Sequence, residues 1–131
     1  MTEASEQLRA KYRARFLDTA SAKVDRGRAL AVGGVKNAPA LEDSFRVIAG
    51  EASMLGLDGL ASVARAGEDA ARLWREQSSS AAARICLQSL DTIEDTLSVL
   101  GNLNTGDFTQ EAGIVAARFA DSSPALVAKP D

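Results

Sequence analysis

Apolar residues recur along this chain with the period of a helix. Leu8, Tyr12, Phe16, Ala20, Val24 and Ala31 stand three or four residues apart, or a sum of these, and Lys11, Arg13, Arg15 and Lys23 fall on other faces. The spacing predicts a first helix over residues 6–32, ended by Gly33 and Gly34 as glycines commonly end helices. In the connector VKNAPA, Pro39 suits the first turn of a following helix. Leu41, Phe45, Ile48, Ala52 and Leu55 then repeat in 4-3-4-3 order, a bundle seam, and predict a second helix over 40–55 with Gly56 as its stop.

The third helix opens at Leu57 or Asp58 and carries Leu60, Ala64, Gly67, Ala71 and Trp74 on one face. EQSSSA is a polar break where Ser79 or Ser80 can cap the next helix. The fourth, over 81–100, turns Ala83, Cys86, Leu87, Leu90, Ile93, Leu97 and Leu100 inward, and Gly101 closes it. Four amphipathic helices with short connections predict an all-α, antiparallel up-and-down four-helix bundle occupying residues 1–102. After the turn-like NLNTGD, FTQEAGIVAARFA can form a short fifth helix over 109–120, part of an extension at 103–120, with Phe108, Val115 and Phe119 against the bundle. Residues 121–131 are expected to be frayed or disordered.

Composition narrows the functions more than the fold. The 131 residues are 46% hydrophobic and 25% charged, as in an ordinary single globular domain. The net charge of −3 offers no basic field for nucleic acid, so no such partner is expected. No apolar run approaches a membrane span and the N-terminus lacks a signal-peptide core, so a cytoplasmic protein without membrane contact is expected. The single cysteine, Cys86, lies between Ile85 and Leu87 and reads as a small buried hydrophobe.

The chain contains no histidine. Imidazole base catalysis, histidine metal ligation and phosphohistidine chemistry are therefore excluded. The carboxylate pairs Glu42–Asp43, Glu68–Asp69 and Glu94–Asp95 point about 100° apart on their helices and read as solvated faces. No serine has a histidine partner, and none of Lys11, Lys23, Lys36 or Lys129 shares a predicted core face with a serine. Phosphate-loop, dinucleotide and paired-cysteine motifs are missing. The expectation is a protein that is not an enzyme and takes no cofactor or metal.

With the second and third helices placed, FRVIAGEASMLGLDGLASVARAGEDA resembles the signature region of the histidine-containing phosphotransfer (HPt) family of bacterial phosphorelays. That signature runs roughly H-x-L-K-G-S/E-A/S-x-x-L-G into a following helix. Ile48, Gly50, Ala52, Leu55 and Gly56 match it without a gap, and Leu57, Leu60, Ala64 and Glu68 continue the match. The specific part is residues 46–68. Two departures fall on the chemistry: Arg46 stands at the phosphoaccepting histidine position, and Ala49 at the position of the assisting lysine. Arginine stays protonated and cannot replace imidazole as nucleophile.

The resemblance implies a pseudo-HPt protein. It would dock a response-regulator receiver domain, or a histidine kinase, and modulate two-component signalling without carrying phosphate. The docking residues it implies are Glu42, Arg46, Ala49, Gly50, Ser53 and Gly56, with Arg46 projecting toward the acidic pocket of a receiver. Gly50 costs about 0.8–1 kcal/mol relative to alanine inside a helix. It is accounted for either by close approach of a partner or by packing within the bundle. The alternative function is a structural or oligomerisation bundle, a homodimer included, with Phe108, Ile114, Val115 and Phe119 as its adhesive strip.

Overall fold

The computed structural model describes residues 3–102, which form four α-helices packed as an antiparallel bundle. They are α1 (Glu3–Val32), α2 (Ala38–Met54), α3 (Asp58–Gln77) and α4 (Ser80–Asn102), with a 3-10 turn at Val35–Asn37 between the first two. Each helix packs on two neighbours, in the order α1, α2, α3, α4 and back to α1. The expected helix at 109–120, its Phe108, Ile114, Val115 and Phe119, and the expected disorder at 121–131 lie outside the described residues. No helix among the described residues is long and apolar enough to cross a membrane.

The connections show why the helices stop where they do. Asn37 donates from Nδ2 to the carbonyl of Leu30 at 3.0 Å, satisfying a backbone acceptor at the open end of α1. α2 ends in a Schellman turn. Leu57 N–H donates to Ala52 O at 2.8 Å and Gly56 N–H to Ser53 O at 3.1 Å, which puts Gly56 at φ +76°. A side chain is strained at that angle, so this turn by itself demands glycine. Ser79 caps α4 through a 3.2 Å bond from Ala82 N–H to its hydroxyl.

The core takes Phe16, Ala20 and Val24 from α1 and Leu41, Phe45, Ile48 and Ala52 from α2. α3 supplies Leu60, Ala64 and Ala71, and α4 supplies Cys86, Leu90, Ile93, Leu97 and Leu100. At its centre the Phe45 ring lies flat over Gly67: a Cβ built there would fall 2.6 Å from Cδ1 and Cζ. Hydrogen is the only substituent that lets the ring and the α3 backbone meet.

Three expected inward positions differ. Leu8 and Tyr12 are 51% and 49% exposed, because α1 runs on past the ends of α2 and α4 and no other described helix lies beside it there. Leu87 is 41% exposed, because the buried face of α4 is centred on Cys86, Ser89, Leu90, Ile93, Thr96 and Leu97, and Leu87 lies at its edge. Thr96 is tolerated inside by donating its hydroxyl to Thr92 O at 2.8 Å.

Cys86 sits as the sequence suggested, fully buried with Sγ 3.9 Å from the carbonyl of Gly67. Burial pushes its thiol up to about 12. The native protein is therefore expected to resist thiol-disulfide reagents until it unfolds. The unfolded chain ionises its thiol first, so this group's contribution to stability is intact below pH 9 and declines from there toward about 12. Denaturant titrations across that range, compared with Cys86→Ala, check the slope.

Candidate functional site

α2 is buried on one side only. Leu41, Phe45, Ile48, Ala49 and Ala52 face the core. The opposite face, open to solvent, carries Asp43, Arg46, Val47, Gly50, Ser53 and Met54. Positions three and four apart share a helix face, so Val47, Gly50 and Met54 make a short apolar strip with a bare backbone in its middle.

Arg46 does not project outward as an uncommitted charge. Its Nε donates to Glu68 Oε2 at 2.9 Å on α3, its Nη1 to Asp43 Oδ1 at 2.9 Å, and its Nη2 to Glu42 Oε2 at 3.5 Å. These carboxylates, the hydrogen bond to Glu68 foremost, raise the guanidinium above its usual pKa. The side chain is thus an exposed cation already paired with carboxylates of its own bundle.

Arg46 belongs to a wider web across α2 and α3. Glu42 accepts Arg72 Nε at 3.2 Å and lies 3.3 Å from Arg75 Nη2, while Arg72 also reaches Glu68 at 3.7 Å and Asp69 at 3.2 Å. The sequence carried a signal for this: EDSFR on α2 and EDAAR on α3 share one acidic-acidic-x-x-Arg pattern. Reading Glu42–Asp43 and Glu68–Asp69 only as solvated faces missed it. Asp43 and Asp69 are indeed exposed, but Glu42 is buried and Glu68 partly so.

The remaining positions separate into two groups. Gly50, Ser53 and Gly56 are exposed, whereas Ala49 is 4% and Glu42 7% exposed. Ala49 belongs to the core cluster, and Glu42 is spent on the arginines. Of the six docking residues the resemblance implies, these two are the buried ones. Gly56 owes its identity to the turn. Gly50 owes its identity to nothing in the four described helices: a Cβ built there meets no atom of the described residues within 4 Å. Packing against one of those helices, one of the two accounts of Gly50, is thereby removed.

Comparisons of the chain with models of protein families, with curated proteins and with solved structures find no match.

Proposed function

We propose that this chain is a non-catalytic binding module, a pseudo-phosphotransfer protein that docks a response-regulator receiver domain on the outer face of α2. The four-helix bundle is compatible with that role, and the signature resemblance over residues 46–68 motivates it. The observation that carries it is Gly50, an exposed mid-helix glycine with open space at its Cβ, flanked by exposed Val47 and Met54. Such a residue lowers helix stability without relieving any contact among the described residues. Close approach of a second backbone gives it a use.

In this form of the proposal Arg46 is a minor contributor. Any acidic group on a partner has to compete with Glu68 and Asp43 for it, and it is surrounded by carboxylates that repel such a group. The contact is instead steric and apolar, along Val47, Gly50 and Met54.

Substitutions at Gly50 test the reading. Gly50→Ala is expected to raise stability by about 0.8–1 kcal/mol, because the methyl enters open space on an exposed helix face. Gly50→Leu should leave the fold intact and weaken binding to a response-regulator receiver domain by about tenfold or more, a loss of ~1.4 kcal/mol. Arg46→Ala should change that affinity far less. Receiver binding by titration calorimetry that is indifferent to Gly50→Leu would sink the proposal.

A further inference from the structure

Leu8, Tyr12 and Phe16 follow one another at spacings of four on α1, with Thr19 a further three on, so the four share one helix face. Phe16 is buried, whereas Tyr12 and Leu8 are about half exposed. Where this row meets the end of α2 it forms a groove of about 510 Å³, with Tyr12, Phe16 and Thr19 on one wall and Met54 and Leu55 on the other. Met54 stands 88% exposed at the rim, and an unbranched methionine adapts its shape to what lies against it. The volume falls within the ~300–1,000 Å³ of sites that take whole small ligands, so the groove has room for more than a single side chain.

The two polar edges of the groove, Arg15 and Glu51, are not equivalent. Glu51 is occupied by Lys23 at 3.3 Å. Arg15 and, one turn earlier on the same face, Lys11 are exposed and make no ion pair with any described residue. Asp18, the carboxylate nearest to Arg15 along α1, pairs with neither. Arg46, Arg72 and Arg75 differ in this respect, each being held by carboxylates of the bundle. Two uncommitted cations therefore border one apolar groove.

We infer that this groove takes an acidic amphipathic helix of a partner protein, its apolar residues seated along Leu8, Tyr12, Phe16 and Met54 and its carboxylates on Lys11 and Arg15. An apolar row on one helix is a surface onto which a second helix lays its own row at i, i+3 and i+4. Leu8 to Phe16 extends about 12 Å, just over two turns, which is enough to read two or three such residues. The uncommitted cations set the sign of the partner's charge. They also disfavour a second copy of the chain, because a two-fold contact through the groove brings the Lys11–Arg15 edges of both copies into one interface. Receiver docking along Val47 and Gly50 uses neither cation, and the groove stands or falls without it.

The probe is a fluorescein-labelled helical peptide with leucines three and four residues apart and glutamate elsewhere, set against the same peptide with lysine for glutamate. In fluorescence anisotropy at low salt, the glutamate peptide is expected to bind the full-length chain about tenfold tighter than the lysine peptide. Non-specific association would favour the lysine peptide, since the chain carries a net charge of −3. Lys11→Glu with Arg15→Glu should reverse the preference, and Tyr12→Ser should weaken both peptides; all three side chains are exposed, so the fold is retained. A Met54→Cys chain should label freely with a maleimide, the native Cys86 being buried, and the glutamate peptide should slow that labelling. Equal binding of the two peptides, binding of neither, or a glutamate preference that survives the double substitution would overturn the inference. Slow labelling of the Met54→Cys chain before any peptide is added would overturn it too, because the groove is then already filled. A dimer in light scattering that Tyr12→Ser dissolves would give the groove to a second copy, with the same consequence.

Discussion

Gly67→Ala is expected to destabilise the bundle by about 1–3 kcal/mol, although alanine is the better helix former by about 1 kcal/mol. The added methyl has nowhere to go. It would meet the Phe45 ring at 2.6 Å or less, and that ring is fully enclosed by the core. Relief requires α2 and α3 to separate or Phe45 to leave its rotamer, and both loosen packing around Ile48, Leu60 and Ala64. Truncation of the ring itself, Phe45→Ala, is expected to cost more, about 3–5 kcal/mol, by opening a cavity at the centre of the molecule. The two positions are one interaction, so their effects do not add. Combined with Phe45→Leu, Gly67→Ala should cost measurably less than in the parent, with a coupling of about 0.5–3 kcal/mol. Urea titrations of the four proteins, followed by far-UV circular dichroism, give the cycle. Strict additivity would mean the ring and the glycine are not in contact.

The next largest effect is expected at Glu42. Its carboxylate is nearly buried and lies within 3.5 Å of guanidinium nitrogens from Arg46, Arg72 and Arg75, so it links α2 to α3 at several points. Removing one partner of a fully buried ion pair costs about 3–5 kcal/mol. Here the three arginines stay about half exposed and water can take up their charge, so Glu42→Ala should cost less, about 1–2 kcal/mol. Glu42→Lys should cost at least twice as much, because it adds a fourth cation to three. Glu42→Gln keeps the size and one acceptor and should fall between wild type and alanine. Chemical denaturation at low and high salt checks the assignment. Salt should weaken the pairs made by exposed Asp43 and Asp69 more than those made by Glu42, which lies inside the surface.

The helices were legible because burial imposes a period that a single sequence retains. Leu41, Phe45, Ile48 and Ala52 fell on the core for that reason, and Gly56 and Ser79 marked their boundaries through local backbone chemistry. Leu8 and Tyr12 have the same period as Phe16, yet periodicity reports only a helix's own apolar face and not whether a neighbour is long enough to cover it. Leu87 failed on rotation: one residue of phase separates it from Cys86, and threonines and a serine occupy what apolar counting assigns to leucine. The web around Glu42 was written in the repeated EDxxR pattern, but its meaning depends on α2 and α3 facing each other. The same limit applied to Arg46, whose partner Glu68 is on another helix. Gly50 and Gly67 show it most clearly. Both are mid-helix glycines in the sequence, and only the fold separates the one pressed against an aromatic ring from the one whose Cβ position is open among the described residues.

The pairing of α2 with α3 also bears on how the molecule assembles. The Schellman turn, the Phe45 ring over Gly67 and the EDxxR web all join residues close along the chain, with Gly56 at the bend. Closing a short loop sacrifices little chain entropy, whereas seating α1 on α4 brings together segments from opposite ends of the described chain. The α2–α3 hairpin, the most extensively packed pair of sequential helices, is therefore expected to form ahead of the α1–α4 contact. The refolding rates of the same Phe45 and Gly67 variants report on that order.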